Sequence, residues 1–166
     1  MGTHIFENIW FNTEGKNIKD IKNALQEQIA KNRLTGYKQL LCIGTDSQVQ
    51  ESENIITVVT AIVILREGNG GNCFYHKTKI KKKMHIKERM LYETTQTVMV
   101  AYNLRDSIVS DDIDIELHAD INTNPHFKSN RALKEAMGYI IGMGFEFKAK
   151  PDAFAASYVA NKFTKN

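Results

Sequence analysis

The segment that most restricts the fold is residues 54–66, a nearly unbroken run of Ile, Val, Thr, Ala and Leu. Such a run is the strongest strand signal in the chain. It stops at Glu67-Gly68-Asn69-Gly70-Gly71, whose glycines supply the positive φ angles of a hairpin turn. No Gly-Lys-Ser/Thr follows and no helix opens there, so these glycines do not form a phosphate loop. Residues 39–50 predict the preceding strand, with Leu41, Ile43 and Thr45 facing one way and Cys42, Gly44 and Asp46 the other. Residues 73–80 predict the strand that follows.

The rest of the chain alternates helices with strands. After an N-terminal stretch carrying Phe6, Trp10 and Phe11, residues 17–32 place Ile18, Ile21, Leu25 and Ile29 on one helical stripe, ended by Gly36. A long helix is expected over residues 85–107, with Leu91, Thr95, Val98, Met99 and Tyr102 on its inner face. Residues 112–120 alternate as a fourth strand. A helix over 129–143, capped by Ser129 and stopped by Gly144, leads to a fifth strand over 145–148 and a closing helix over 151–162. The order β-β-β-α-β-α-β-α after a first helix describes an α/β fold with a mixed five-stranded sheet, antiparallel first and parallel afterwards. Without repeats or linkers, residues 1–166 predict one domain, with 1–36 as an N-terminal helical extension and 37–166 as the core.

Strands one and four are expected to be parallel neighbours. That places Asp46 and Asp120, near their carboxyl ends, on one rim of the sheet, where open α/β folds keep their sites. Asp152 at the start of the last helix and Glu93 in the early turns of the long one complete an expected cluster of four acids. Glu88 competes with Glu93, but five residues turn a helix by about 140°, so only one of them points inward. Glu93 is chosen because Val98, Met99 and Tyr102 continue its face. Clustered carboxylates raise one another's pKa and resist burial, and a hard cation resolves the conflict. Mg²⁺ or Mn²⁺ suits such oxygen ligands, and two ions roughly 3.5–4 Å apart activate water and stabilise the leaving oxygen in phosphodiester cleavage.

Three blocks carry a resemblance: Ile43-Gly44-Thr45-Asp46-Ser47-Gln48, His118-Ala119-Asp120-Ile121, and Lys150-Pro151-Asp152-Ala153-Phe154-Ala155-Ala156-Ser157. In this order the chain, over residues 39–165, resembles the bacterial YkuK-type family of ribonuclease-H-like proteins. The resemblance implies a ribonuclease H fold, an acidic metal site and a predicted nuclease activity. Better-known ribonuclease H enzymes often follow the first aspartate with Gly-Ser and carry a histidine before the last helix. Here Ser47-Gln48 follows Asp46 and residues 148–151 hold no histidine, leaving His118 or His85 as candidates to assist product release.

A net charge of +3 and a pI near 8.8 make a polyanionic partner compatible, and the excess is local. Lys77, Lys79, Lys81, Lys82, Lys83 and Lys87 lead into the long helix. Such a run serves as a solvated, aggregation-blocking edge or, beside a metal site, as a phosphate contact, and Lys81, Lys82 and Lys83 are the candidates for binding RNA, DNA or a hybrid. Cys42 and Cys73 lack partners at zinc spacing and are expected to be buried, reduced thiols. No run of eighteen apolar residues occurs, and a cytoplasmic location is expected. The sequence thus predicts a metal-dependent nuclease with a two-metal mechanism. Its rival is a non-catalytic nucleic-acid-binding or regulatory protein that keeps the fold.

Overall fold

The computed structural model describes residues 9–108 and 113–165, so the expectations placed on Phe6 and Asp112 lie outside the described residues. Three long strands form the centre: β3 (Gln39–Gln50), β4 (Ile55–Arg66) and β5 (Gly71–Lys81), numbered after two short strands, β1 (Trp10–Asn12) and β2 (Asn17–Ile18). Antiparallel pairing runs without interruption from Gln39↔Arg66 to Gln50↔Ile55, and β4 pairs β5 in the same sense. Each turn uses left-handed backbone where its sequence permits it. Asn54 has φ 52° between β3 and β4, while Gly68 and Gly70 have φ 74° and 68° between β4 and β5.

On the other side of β3 lies β6 (Ile113–Asn122), parallel to it, followed by the parallel β7 (Glu146–Lys150). The five expected strands are all present, in the expected relation. The sheet nevertheless has seven strands, in the order β2-β1-β5-β4-β3-β6-β7, because the N-terminal segment adds two short strands beside β5. Residues 1–36 are therefore not a purely helical extension. The first helix, α1 (Ile21–Arg33), starts later than predicted, where the Asp20 side chain accepts from the Asn23 N–H and so caps it.

Helices cover both faces of the sheet. One face packs Leu41, Ile43, Ile62, Ile64 and Leu117 against α1 and the long helix α2 (Ile86–Ile108), in a core that also takes in Trp10. The inner face of α2 is set by Met90, Glu93, Thr97, Val98, Ala101 and Leu104. The predicted face was rotated, since Leu91, Thr95 and Met99 are half-buried and Tyr102 is exposed. Thr97 faces inward, where it bonds Thr45, which bonds Thr60, at 2.8 and 2.9 Å.

The opposite face carries Cys42, Val59, Ala61 and Val63 and is covered by the C-terminal helix. This helix is π-wound over Ala155–Ala160 and becomes α-helical at α4 (Asn161–Thr164). Ala153, Ala155, Ala156 and Ala160 are wholly buried, so its backbone lies directly on the sheet. A Cβ on Gly44 would overlap the Ala156 nitrogen, an approach that only glycine accommodates. Between β6 and β7, the predicted 129–143 helix begins with a 3₁₀ turn at Lys128–Ala132 and becomes α3 at Leu133–Gly142. Ser129 does not cap it. Its hydroxyl accepts instead from the Asn122 N–H at 3.2 Å, tying the loop back to β6.

Candidate functional site

Parallel register brings the first two acids together. The β3–β6 ladder ends at Thr45↔Ala119, and Asp46 and Asp120 are the next residue on each strand. Side-chain alternation then divides the rim. Ser47 faces α2, where its hydroxyl donates to Glu93, and Asp46 faces the C-terminal helix, where it accepts from the Asn161 amide at 2.8 Å. Asp120 accepts from Ser157 Oγ at 2.8 Å and pairs with Lys150 Nζ at 2.9 Å. Arg89, one turn before Glu93, lies 3.7 Å from its carboxylate and donates to the Ser47 carbonyl and hydroxyl.

Burial gives these acids their character. Glu93 is 3% exposed, and burial, reinforced by the charge of Asp46, pushes its pKa well above the usual carboxylate range. Asp46 is raised to about 6, first by burial and then by Asp120, against the lowering effect of the Asn161 hydrogen bond. Protein donors meet all three acids, yet two of these acids retain a high proton affinity. Such a site favours a cation that brings more charge than Arg89 and Lys150 provide. Its donors are all oxygens, so it fits a hard divalent ion such as Mg²⁺ or Mn²⁺.

Asp46 and Asp120 line an open cavity of about 510 Å³ with Arg89, Lys150, Ser129 and Asn161, and Glu93 sits behind Ser47. Glu88 is outside it, exposed and paired with Lys82 at 2.8 Å, so the helix selects Glu93. Asp152 does not line that cavity. It is exposed in a turn, its N–H donates to Ala149 at 2.9 Å, and its charge acts on His118. The expected helix start at Pro151 is displaced into the alanine stretch, so the side chains that reach the site are Ser157 and Asn161. The signal for them was present: the buried face of alanines implies that residues 157 and 161, four apart, share the adjoining stripe.

Of the candidate lysines, Lys82 and Lys83 line a neighbouring cavity of about 520 Å³ that shares Val49, Glu51, Ile86 and Arg89 with the acidic one. Lys81 pairs through its backbone with Ile55 at the end of β5 and does not line it. His118 is 1% exposed and fully engaged, which removes it as a product-release group. Its Nδ1 accepts from the Ala155 N–H at 3.1 Å, so its Nε2 carries the proton and donates to Glu116 at 2.7 Å. Cys42, Glu116 and His118 gather their polar atoms within 4.8 Å, but this tautomer leaves no ring lone pair for a metal. Burial pushes both Cys42 and Cys73 up to about 12, which makes them inert thiols.

Residues 18–165 match the family described as Ribonuclease H-like. The chain belongs to this family. It is 29% identical over 161 residues to the uncharacterized protein YkuK of Bacillus subtilis (strain 168), covering 89% of this chain and 90% of that one. The YkuK-type resemblance of the three sequence blocks therefore extends across most of both proteins. A crystal structure of RNase H1 from the halophilic archaeon Halobacterium salinarum NRC-1 aligns with 74% of this chain and 96% of that chain, at 16% identity and a TM-score of 0.41. Among the described residues no helix is long and apolar enough to cross a membrane.

Proposed function

We propose that this protein is a metal-dependent nuclease that hydrolyses phosphodiester bonds of nucleic acid. The observation that carries the proposal is the meeting of Asp46, Glu93 and Asp120 at one sheet rim, beside a cavity walled by Lys82 and Lys83. The charges of Asp46 and Asp120 both act on Glu93, and Asp120 acts on Asp46, so the three carboxylates would hold the ions together. Asn161, whose amide donates to Asp46, would be the fourth side chain of the site. Bound there, Mg²⁺ or Mn²⁺ would supply the Lewis acidity that polarises a phosphodiester and lowers the pKa of a water.

The chain's own groups do the rest. Ser47 fixes the Glu93 carboxylate, Asn161 fixes Asp46, and Ser157 fixes Asp120, so the ligands are oriented before an ion arrives. Lys82 and Lys83 attract the phosphate backbone without reading sequence. One observation favours the non-catalytic rival: the fourth position is an amide, and Arg89 and Lys150 already offset part of the charge. Incubation of end-labelled RNA, DNA and RNA–DNA hybrid with Mn²⁺ or EDTA separates the two. Mn²⁺-dependent cleavage abolished by Glu93→Gln and kept by Glu88→Gln supports the nuclease. Binding without cleavage of any of the three supports the rival.

A further inference from the structure

Two cations of the site stand at its two exits. Arg89 belongs both to the acidic cavity and to the lysine-lined one. Lys150 belongs both to the acidic cavity and to a third of about 260 Å³, lined also by Asn122, Pro151, Ser157 and Tyr158. Ser157 joins the two floors, since it lines the third cavity and donates to Asp120. The three cavities thus follow one another through shared lining residues, lysines at one end and acids in the middle. At the far end is Tyr158, 71% exposed on the C-terminal helix, with its ring uncommitted to the core.

We propose that the third cavity is a nucleotide subsite, in which Tyr158 stacks an unpaired base and Lys150 holds the phosphate beside the acids. The proposal rests on the nucleic-acid function above and adds a substrate class: a strand whose bases are free of pairing on this side. A base inside a duplex presents its edge to the protein and its face to its neighbours, so an aromatic platform selects single strands, loops or frayed ends. Lys150 has a reason to move. It pairs with Asp120, its side chain is 41% exposed and it lines both cavities, so its ammonium can turn from the carboxylate toward a phosphate in the third cavity. A strand passing from Lys82 and Lys83 over the acids to Lys150 carries phosphates on both sides of the reacting one, which fits cleavage within a strand.

The test measures binding of fluorescein-labelled oligouridylate and of an RNA duplex of equal length by anisotropy across a salt series, with Ca²⁺ present. Tyr158→Ala should weaken oligouridylate binding roughly ten-fold and leave duplex binding unchanged, while Tyr158→Phe should bind as the wild type does. Lys150→Met should lower the salt slope for the single strand by about 0.7. The same variant, titrated with Mn²⁺ alone in a calorimeter, should bind the ion more tightly, because a competing cation is gone. Wild-type affinity in Tyr158→Ala, equal losses on both nucleic acids, or weaker Mn²⁺ binding in Lys150→Met overturns the subsite while leaving the nuclease proposal standing. A wild type that binds neither nucleic acid overturns both.

Discussion

Asp46 is held by opposing influences: burial and Asp120 raise its pKa to about 6, and the Asn161 amide pulls it down. Exchanging that amide for a carboxylate reverses its effect. Asn161→Asp should lower stability in EDTA by about 1–3 kcal/mol, through a lost hydrogen bond and an added like charge. It should also tighten Mn²⁺ binding roughly ten-fold, because ligand charge sets affinity at hard-ion sites. Calorimetric titration with melting curves checks both signs, and weaker Mn²⁺ binding would remove Asn161 from the ligand set. Asp46 and Asp120 were legible because strand alternation and parallel pairing fix where they fall. Glu93 faces inward and Glu88 outward, although the helix face used to choose between them was partly misplaced, since Tyr102 points outward and Thr97 inward. Asn161 was missed because its place depends on where the last helix begins, and the chain turns at Pro151 and Asp152 before winding.

At the scale of elements, the site depends on how closely the C-terminal helix lies on β3. Gly44→Ala would place a methyl against the Ala156 backbone, and no flexible side chain is there to yield. The expected cost is about 2 kcal/mol or more in denaturant unfolding, with a reduced Mn²⁺ response because Ser157 and Asn161 ride on the same helix. Unchanged stability would show that the helix can lift from β3 at little cost. The central strands were legible because their β-branched runs and glycine turns act locally. β1 and β2 were not, being three and two residues long and placed by pairing and packing with residues distant in sequence. The π-winding over Ala155–Ala160 left no local pattern either, since alanine favours any helix.

The pairing of β1 with β5 gives a pH signature of its own. His76 on β5 packs against Trp10, their rings 5.7 Å apart, and burial lowers its pKa from 6.5 to about 4. Between those values the unfolded chain binds a proton that the folded one refuses, so the His76 contribution to stability is lost as pH falls from 6.5 toward 4. At about 1.4 kcal/mol per pH unit this amounts to roughly 3 kcal/mol. His76→Gln should flatten that part of the stability profile in urea melts, and an unchanged slope would assign the acid sensitivity elsewhere.

For the whole molecule, the topology was legible because short connections between locally specified elements admit few arrangements. It also explains why residues 46, 93 and 120, far apart in sequence, meet where two parallel strands end under one long helix. The divalent-metal site inferred from that meeting is tested most directly by thermal melting of the wild type and Asp46→Asn, each in EDTA and across a Mn²⁺ series. In EDTA the variant should be as stable as the wild type or more so, because a like charge is removed from beside Glu93 and Asp120. Mn²⁺ should raise the wild-type Tm progressively by mass action and do much less for the variant. Equal Mn²⁺-induced shifts in the two proteins, with Asp46→Asn less stable throughout, would make Asp46 a structural residue and contradict the divalent-metal site.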